Sequence, residues 1–301
     1  MGGLIIPPLR ITFSGGGVTG LAHIGALEAF QERGLLGSVR EYIGTSAGAL
    51  MALCLCLGFT IAEMKAVCMG MNFESITEIE PESLMNIFET FSIDTAKNME
   101  KLLVTFLKAK GLPSNITFEG LRAAMPRKPR LRICTTNLNQ CCPVIFDDIA
   151  TPTASVLFAV KASMAIPLIF APCRHPDSGD LYVDGGVIAQ SPFDVLTDAE
   201  REHAIAFAFV HDSWKKERFD SLSEFAIQLP ISVYFHMKRN ILPHWHSHII
   251  LFPRMDNMIL KFSASKDEKE AIIQVGREVA IKFLEETNMK RERVPRRFSV
   301  S

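Results

Sequence analysis

The chain has almost no net charge: 32 Lys and Arg stand against 33 Asp and Glu, a formal balance of −1 over 301 residues. Bulk binding to nucleic acid draws on a basic excess, so the composition argues against it. A long hydrophobic run is also missing. The longest, Ala47 to Phe59, falls short of the ~20 apolar residues that a membrane-spanning helix needs. The N-terminal Met1-Gly2-Gly3-Leu4-Ile5-Ile6 lacks the basic flank and apolar length of a secretory signal. Ile6 also stands where an N-myristoylation site requires Ser or Thr. The seven cysteines have no regular spacing. Cys54, Cys56 and Cys68 lie in apolar helical surroundings, and Cys141-Cys142 are adjacent. An odd count without a signal reads as reduced thiols, so the expected setting is cytoplasmic, with peripheral membrane contact.

Apolar residues make up 48% and charged residues 22%, a composition that supports a substantial core. The basic residues Lys290, Arg291, Arg293, Arg296 and Arg297 crowd the end of the chain. Residues 289–301 are therefore expected to form a solvated basic tail; attraction to anionic lipid, ~1 kcal/mol per basic residue, is the alternative. No internal repeat or low-complexity linker interrupts the rest, which is read as one domain over residues 9–288.

The hydrophobic pattern begins with a strand at Leu9–Ser14, a glycine turn, and a helix from about Gly20 to Gln31 striped by Leu21, Ile24, Leu27 and Phe30. A second strand at Val39–Ile43 leads into a helix at Ala47–Leu57 that is apolar all round and hence buried. Strand, helix, strand, helix predicts an α/β fold with a parallel sheet covered on both faces. Residues 60–126 read as an all-helical insertion. Strands are expected again at Leu131–Thr136, Val144–Phe146, Leu181–Val183, Ala204–Val210 and His248–Phe252. The last helix opens on the capping box Ser265-Lys266-Asp267-Glu268, with a stripe of Ile272, Val275, Val279 and Phe283.

Gly44-Thr45-Ser46-Ala47-Gly48 sits between the second strand and its helix. Glycine two places either side of a serine permits a sharp, crowded strand-to-helix turn. There the hydroxyl is exposed, and the helix offers free N–H groups to a developing negative charge. Upstream, Gly15-Gly16-Gly17-Val18-Thr19-Gly20 satisfies a dinucleotide-binding spacing. The second strand, however, ends without the acidic residue that would hold a ribose, and Glu41 lies at its beginning. No Gly-Lys-Ser/Thr follows either, which removes a nucleotide P-loop. What survives is an anion-binding turn for a transient oxyanion.

A serine nucleophile needs a base. His23 reads as a packed or capping histidine. His244, His246 and His248 share a face if extended, but no further ligand at metal spacing completes a site. Asp184, ending a strand and followed by Gly185-Gly186, is the stronger candidate. Its apolar neighbours Leu181, Tyr182, Val183 and Val187 could raise its pKa by desolvation.

Taken in order, the glycine turn, Gly44–Gly48, Ala162-Ser163-Met164-Ala165-Ile166-Pro167 with Phe170, and Asp184-Gly185-Gly186 resemble the patatin-like phospholipase family over roughly residues 9–192. The resemblance implies a three-layer α/β/α sandwich with a central, mostly parallel sheet. It implies Ser46 as nucleophile, Asp184 as its base, and an oxyanion hole from Gly15, Gly16, Gly17 and Gly20. The implied reaction is acyl-ester hydrolysis on a phospholipid or acylglycerol, without metal or organic cofactor. Thr19 stands where the family often has Arg or Lys. Two other readings compete. A small-ester or thioester hydrolase with a Ser-His-Asp triad would draw on His203 or His211. A non-catalytic lipid-binding scaffold would keep the fold without turnover.

Overall fold

In the computed structural model, described residues are 7–77, 87–209 and 245–287, apart from 254, 256, 257 and 260, with five isolated positions between 225 and 233. His211, His244 and the basic tail lie outside them.

The strands are β1 (Arg10–Phe13), β2 (Glu41–Thr45), β3 (Ser92–Asp94), β4 (Arg130–Asn137), β5 (Cys142–Phe146), β6 (Leu168–Phe170), β7 (Cys173–Arg174), β8 (Leu181–Asp184), β9 (Ala204–Phe209) and β10 (Ile249–Phe252). The main sheet runs β10-β9-β1-β2-β4-β8-β7, with β5 also on β4. Pairing is parallel from β10 through β4 and antiparallel beyond. Helices α1 (Ala22–Glu32) and α2 (Ala47–Cys56) follow β1 and β2, as the alternating pattern requires.

The period of two along each strand sorts side chains into two cores. On one face lie Ile11 and Phe13 of β1, Ile205, Phe207 and Phe209 of β9, and Ile250 and Phe252 of β10. On the other lie Ile43, Ala204, Ala206, Ala208 and Ile249. The first face is covered by α1, α2 and the long helix Lys266–Glu286. Among the described residues, Phe193 and Leu196 from the Pro192–Val195 turn region pack on the second. The small alanine face of β9 and its large aromatic face thus record the unequal depth of the two layers.

Two expectations need correction. The 60–126 segment is not all helical: α3 (Ile61–Gly70) and the helices Lys97–Ala109 and Phe118–Ala124 enclose β3, which pairs in parallel with β6. A strand of three residues is too short to show its period, so only its distant partner reveals it. On the last helix, the buried positions are Lys269, Ile272, Ile273, Gly276, Ala280 and Leu284, while Val275, Val279 and Phe283 are half-buried. The stripe is displaced because Gly276 lies directly against the backbone of Ala22, where a bulkier residue would collide. The capping box at Ser265 and Glu268 is formed.

At the N-terminal ends of three adjacent strands, Arg10, Glu41 and Arg130 stand in register. Glu41 is buried and takes Arg10 Nε and Arg130 Nη1 at 2.8 Å each, with Arg132 Nη1 at 3.4 Å. Its position at the start of β2 therefore serves strand alignment. Glu41→Gln is expected to lower the unfolding free energy by about 3 kcal/mol, because removing one partner strands desolvated arginines. The reactivity of the folded protein should be unchanged, since the cluster lies at the far end of the sheet; urea unfolding checks the first statement.

Candidate active site

Register alone brings Ser46 and Asp184 together. β4 residues 135–137 pair with β5 and β8, whereas 133 and 134 pair with β5 and β2. A strand has two edges, so β2 and β8 share the edge of β4 opposite β5. Thr45, the last residue of β2, faces Cys134. The next β4 residue, Thr135, faces Asp184. Ser46 leaves the sheet at the point where Asp184 takes its place.

The backbone at Ser46 has φ 54° and ψ −125°, a conformation L-residues rarely adopt. It turns β2 straight into α2, whose first N–H groups have no intrahelical acceptor. Such a turn demands close backbone contact, and Gly48 provides it: a Cβ there would collide with the Phe13 carbonyl of β1. The Ser46 N–H donates to Ser163 Oγ at 2.9 Å, and Ser163 Oγ donates to the Cys134 carbonyl at 2.6 Å. Ser163 thus ties the turn to β4 from the helix Val156–Ser163.

Asp184 is 5% exposed. Its Oδ1 accepts the Gly186 N–H at 2.7 Å, and its Oδ2 completes no hydrogen bond among the described residues. Burial pushes its pKa up from 3.8 to about 7, while the nearby Ser46 hydroxyl and the Gly186 N–H pull it down. Because Oδ2 remains unbonded, Ser46 acts on the carboxylate by proximity, short of a formed hydrogen bond.

The glycine turn offers fewer donors than its sequence suggests. The Gly15 N–H is spent on the Gln190 carbonyl at 3.0 Å, while Gln190 Nε2 donates to the Gly15 carbonyl at 2.9 Å. Gly20 lies inside the 3-10 turn Gly17–Leu21 and packs against Ala47. Gly16 and Gly17 keep N–H groups without an acceptor among the described residues. Gly17 has φ +52°, and a Cβ there would strike the Ile259 carbonyl. Thr19 is buried, and its N–H and hydroxyl both donate to the Gly16 carbonyl, at 3.1 and 2.6 Å. In a trans peptide N–H and C=O point in opposite directions. Thr19 therefore fixes which way the Gly17 N–H faces.

The histidines are placed elsewhere. His23 is fully buried, with Nε2 at 3.0 Å from the Ser14 carbonyl and its ring among Phe13, Phe207, Phe209 and Phe252. Burial lowers its pKa to about 4, so it is neutral. His203 precedes Ala204, which pairs with Arg10 at the opposite end of the sheet from Ser46. His246 and His248 lie in a 3-10 turn rather than an extended strand. No group of three or more His, Cys, Asp or Glu side chains among the described residues could hold a metal. Beside Ser46 opens an apolar cleft, lined by Leu50 and Met51 of α2, Met99, Met164, Ile166 and Phe170 among others.

Motif reading passes over Gln190, and it names Ser163 and Thr19 without their positioning role, since each acts through backbone atoms of a partner distant in sequence or on a tight turn. Ser163→Ala should lower the unfolding free energy by ~2 kcal/mol, because it leaves a buried N–H and a buried carbonyl unpaired. Ser163→Thr, which retains the hydroxyl, should recover part of the loss in calorimetry.

Comparison with known proteins agrees with this fold. The model of the patatin-like phospholipase family matches residues 11–197. An uncharacterized Bacillus subtilis protein, YqhO, is 27% identical over 292 residues, covering 91% of this chain and 97% of that protein. An uncharacterized Acanthamoeba polyphaga mimivirus protein is 29% identical over 203 residues, 67% of this chain and 65% of its own length. A protein of Invertebrate iridescent virus 6 named as a probable lipid hydrolase is 26% identical over 194 residues, 62% of each chain. The chain thus spans less than two thirds of either viral relative. Among solved structures, VipD from Legionella pneumophila superposes with a TM-score of 0.57 at 17% identity, over 93% of this chain and 67% of that one. At that identity the likeness speaks for the fold.

Proposed function

The chain belongs to the patatin-like phospholipase family, and from that premise we propose that it hydrolyses fatty-acyl esters of phospholipids or other glycerolipids, with Ser46 as nucleophile and Asp184 as general base. The observation that carries this reading is the unbonded, buried Oδ2 of Asp184, placed by strand register beside a strained serine at the mouth of an apolar cleft. A carboxyl with a pKa near 7 is half-ionised at neutral pH and matched to general-base work.

The reaction proceeds in two displacements. Oγ of Ser46 attacks the ester carbonyl as its proton passes to Asp184 Oδ2. The tetrahedral oxyanion is met by the N–H groups of Gly16 and Gly17 and by the N-terminus of α2. Collapse breaks the ester C–O bond, and the proton on Asp184 goes to the departing alcohol. Water then attacks the acyl-enzyme, giving its proton to the same carboxylate, and the fatty acid leaves with Ser46 restored. The cleft receives the acyl group.

Among the described residues no helix is long and apolar enough to cross a membrane. We assign the reaction to one domain over residues 9–288, acting on lipid aggregates or membrane surfaces by peripheral contact. All seven cysteines are free, which suits a reducing, cytoplasmic setting.

The test is release of free fatty acid from phospholipid vesicles and diacylglycerol by wild type, Ser46→Ala and Asp184→Asn. Ser46→Ala is expected to lose on the order of 10⁶-fold in turnover, and Asp184→Asn about 10⁴-fold. His211→Ala should retain activity; loss of turnover in that variant would favour a Ser-His-Asp triad over the dyad. Binding of vesicles without any release would favour the scaffold.

A further inference from the structure

The N–H groups from Gly15 to Val18 run along the glycine turn beside Ser46, and those at either end are already taken. Gly15 donates to the Gln190 carbonyl at 3.0 Å, and Val18 to the Ile259 carbonyl at 2.9 Å. The carbonyls on the same stretch are held as well, each by a side chain. Ser14 pairs with His23 Nε2 at 3.0 Å, Gly15 accepts from Gln190 Nε2 at 2.9 Å, and Gly16 accepts from Thr19 Oγ1 at 2.6 Å. A carbonyl only accepts, so the buried, neutral His23 carries its proton on Nε2 and Gln190 turns its amide nitrogen to Gly15.

These bonds decide where the remaining donors point. N–H and C=O of a trans peptide are opposed. The bond from Gln190 to the Gly15 carbonyl therefore aims the Gly16 N–H away from Gln190. The bond from Thr19 to the Gly16 carbonyl aims the Gly17 N–H away from Thr19. With ψ at 6°, Gly16 also sets its own nitrogen and that of Gly17 on the same side of the intervening bond. Successive N–H groups brought together in this way can meet one anion.

The packing leaves these side chains little freedom. Thr19 is buried, and a Cβ on Gly16 would come within 3.1 Å of its Oγ1. A Cβ on Gly15 would come within 3.2 Å of both Gln190 amide atoms and of Ser46 Cβ. One on Gly186 would collide with Gln190 Oε1, beside Asp184 Oδ1. Gln190 thus fills the place where the glycine turn, Ser46 and the Asp184 turn meet.

We propose that Gln190 and Thr19 are positioning residues of the oxyanion hole, which hold the carbonyls of Gly15 and Gly16 and so aim the Gly16 and Gly17 N–H groups at the oxyanion formed on Ser46. This rests on the acyl-hydrolase reading for the oxyanion, and on the hydrogen bonds of the turn for the aim. Both residues act through the backbone and supply no reacting atom. Donors fixed in advance cost no reorganisation as charge develops, and that is what the two side chains contribute.

Thr19→Val keeps the shape and loses the hydroxyl, Thr19→Ser keeps the hydroxyl, and Gln190→Met keeps the length and loses the amide. Each is compared with wild type in hydrolysis of p-nitrophenyl octanoate and in inhibition by heptyl trifluoromethyl ketone. Ser46 Oγ adds to the ketone carbon as its proton passes to Asp184, which leaves a hemiketal oxyanion in the hole. Complete loss of one oxyanion donor costs ~10²–10³ in kcat, so misdirecting one should cost about 10- to 100-fold with KM little changed. Thr19→Val should fall at the lower figure, because the Thr19 N–H still holds the Gly16 carbonyl at 3.1 Å. The inhibition constant of the ketone should rise by the same factor as kcat falls, and Thr19→Ser should restore both. A merely destabilised fold lowers the apparent kcat through the active fraction and leaves the inhibition constant where it was. An inhibition constant unchanged in a variant, whatever its rate or thermal unfolding, therefore overturns the assignment of that residue. A folded wild type that neither hydrolyses the ester nor takes the ketone overturns the hydrolase reading, and the oxyanion role with it.

Discussion

Everything at this site depends on one backbone turn. Ser46 is held at φ 54° and ψ −125°, a conformation that costs roughly 1–3 kcal/mol and persists only where its surroundings over-determine it. Those surroundings are all tertiary. β1 closes on Gly48, β4 and the helix Val156–Ser163 hold the Ser46 N–H through Ser163, and the Thr45 hydroxyl reaches the Ala189 carbonyl at 3.2 Å. The turn projects the hydroxyl out of the sheet and starts a helix at the same residue. Relaxing it would move the nucleophile and the helix N-terminus together.

The same packing that forces the turn sets the electrostatics. Asp184 ends its strand on the β4 edge that β2 has just vacated, so its carboxylate is buried by the elements that shape the elbow. Burial pushes its pKa up. The Gly186 N–H and the neighbouring Ser46 hydroxyl offset part of that effect, and the result is a carboxyl that titrates near neutral pH. The opposite end of the central strands carries the Arg10, Glu41, Arg130 and Arg132 cluster, where charge aligns strands. Charge and strain are thus divided between the two ends of the strands.

Much of this was legible in the residues. The order of strands and helices, the apolar α2, the capping box at Ser265 and the pairing of Gly44–Gly48 with Asp184-Gly185-Gly186 all rest on local patterns, which a single sequence displays. What escaped detection depends on distant partners. β3 is recognised only through β6, and the buried stripe of the last helix is shifted by the approach of Gly276 to Ala22. Gly15 looks like an oxyanion donor until Gln190, 175 residues away, takes its N–H neighbourhood. Thr19, read as a missing charge, instead fixes the direction of a peptide. His203 looked available to Ser46, but parallel register puts it at the wrong end of β9.

The central claim is that Ser46 is activated by the buried carboxylate of Asp184, and the most direct measurement is the rate of fluorophosphonate labelling at Ser46 as a function of pH, with the modified peptide mapped. A base must be ionised to accept the proton, so a carboxyl raised to about 7 predicts a labelling rate that climbs through neutral pH and levels off above it. Asp184→Asn should label far more slowly, with that inflection gone. Labelling of a folded wild-type protein that ignores pH across neutrality, or that survives Asp184→Asn undiminished, would contradict the account.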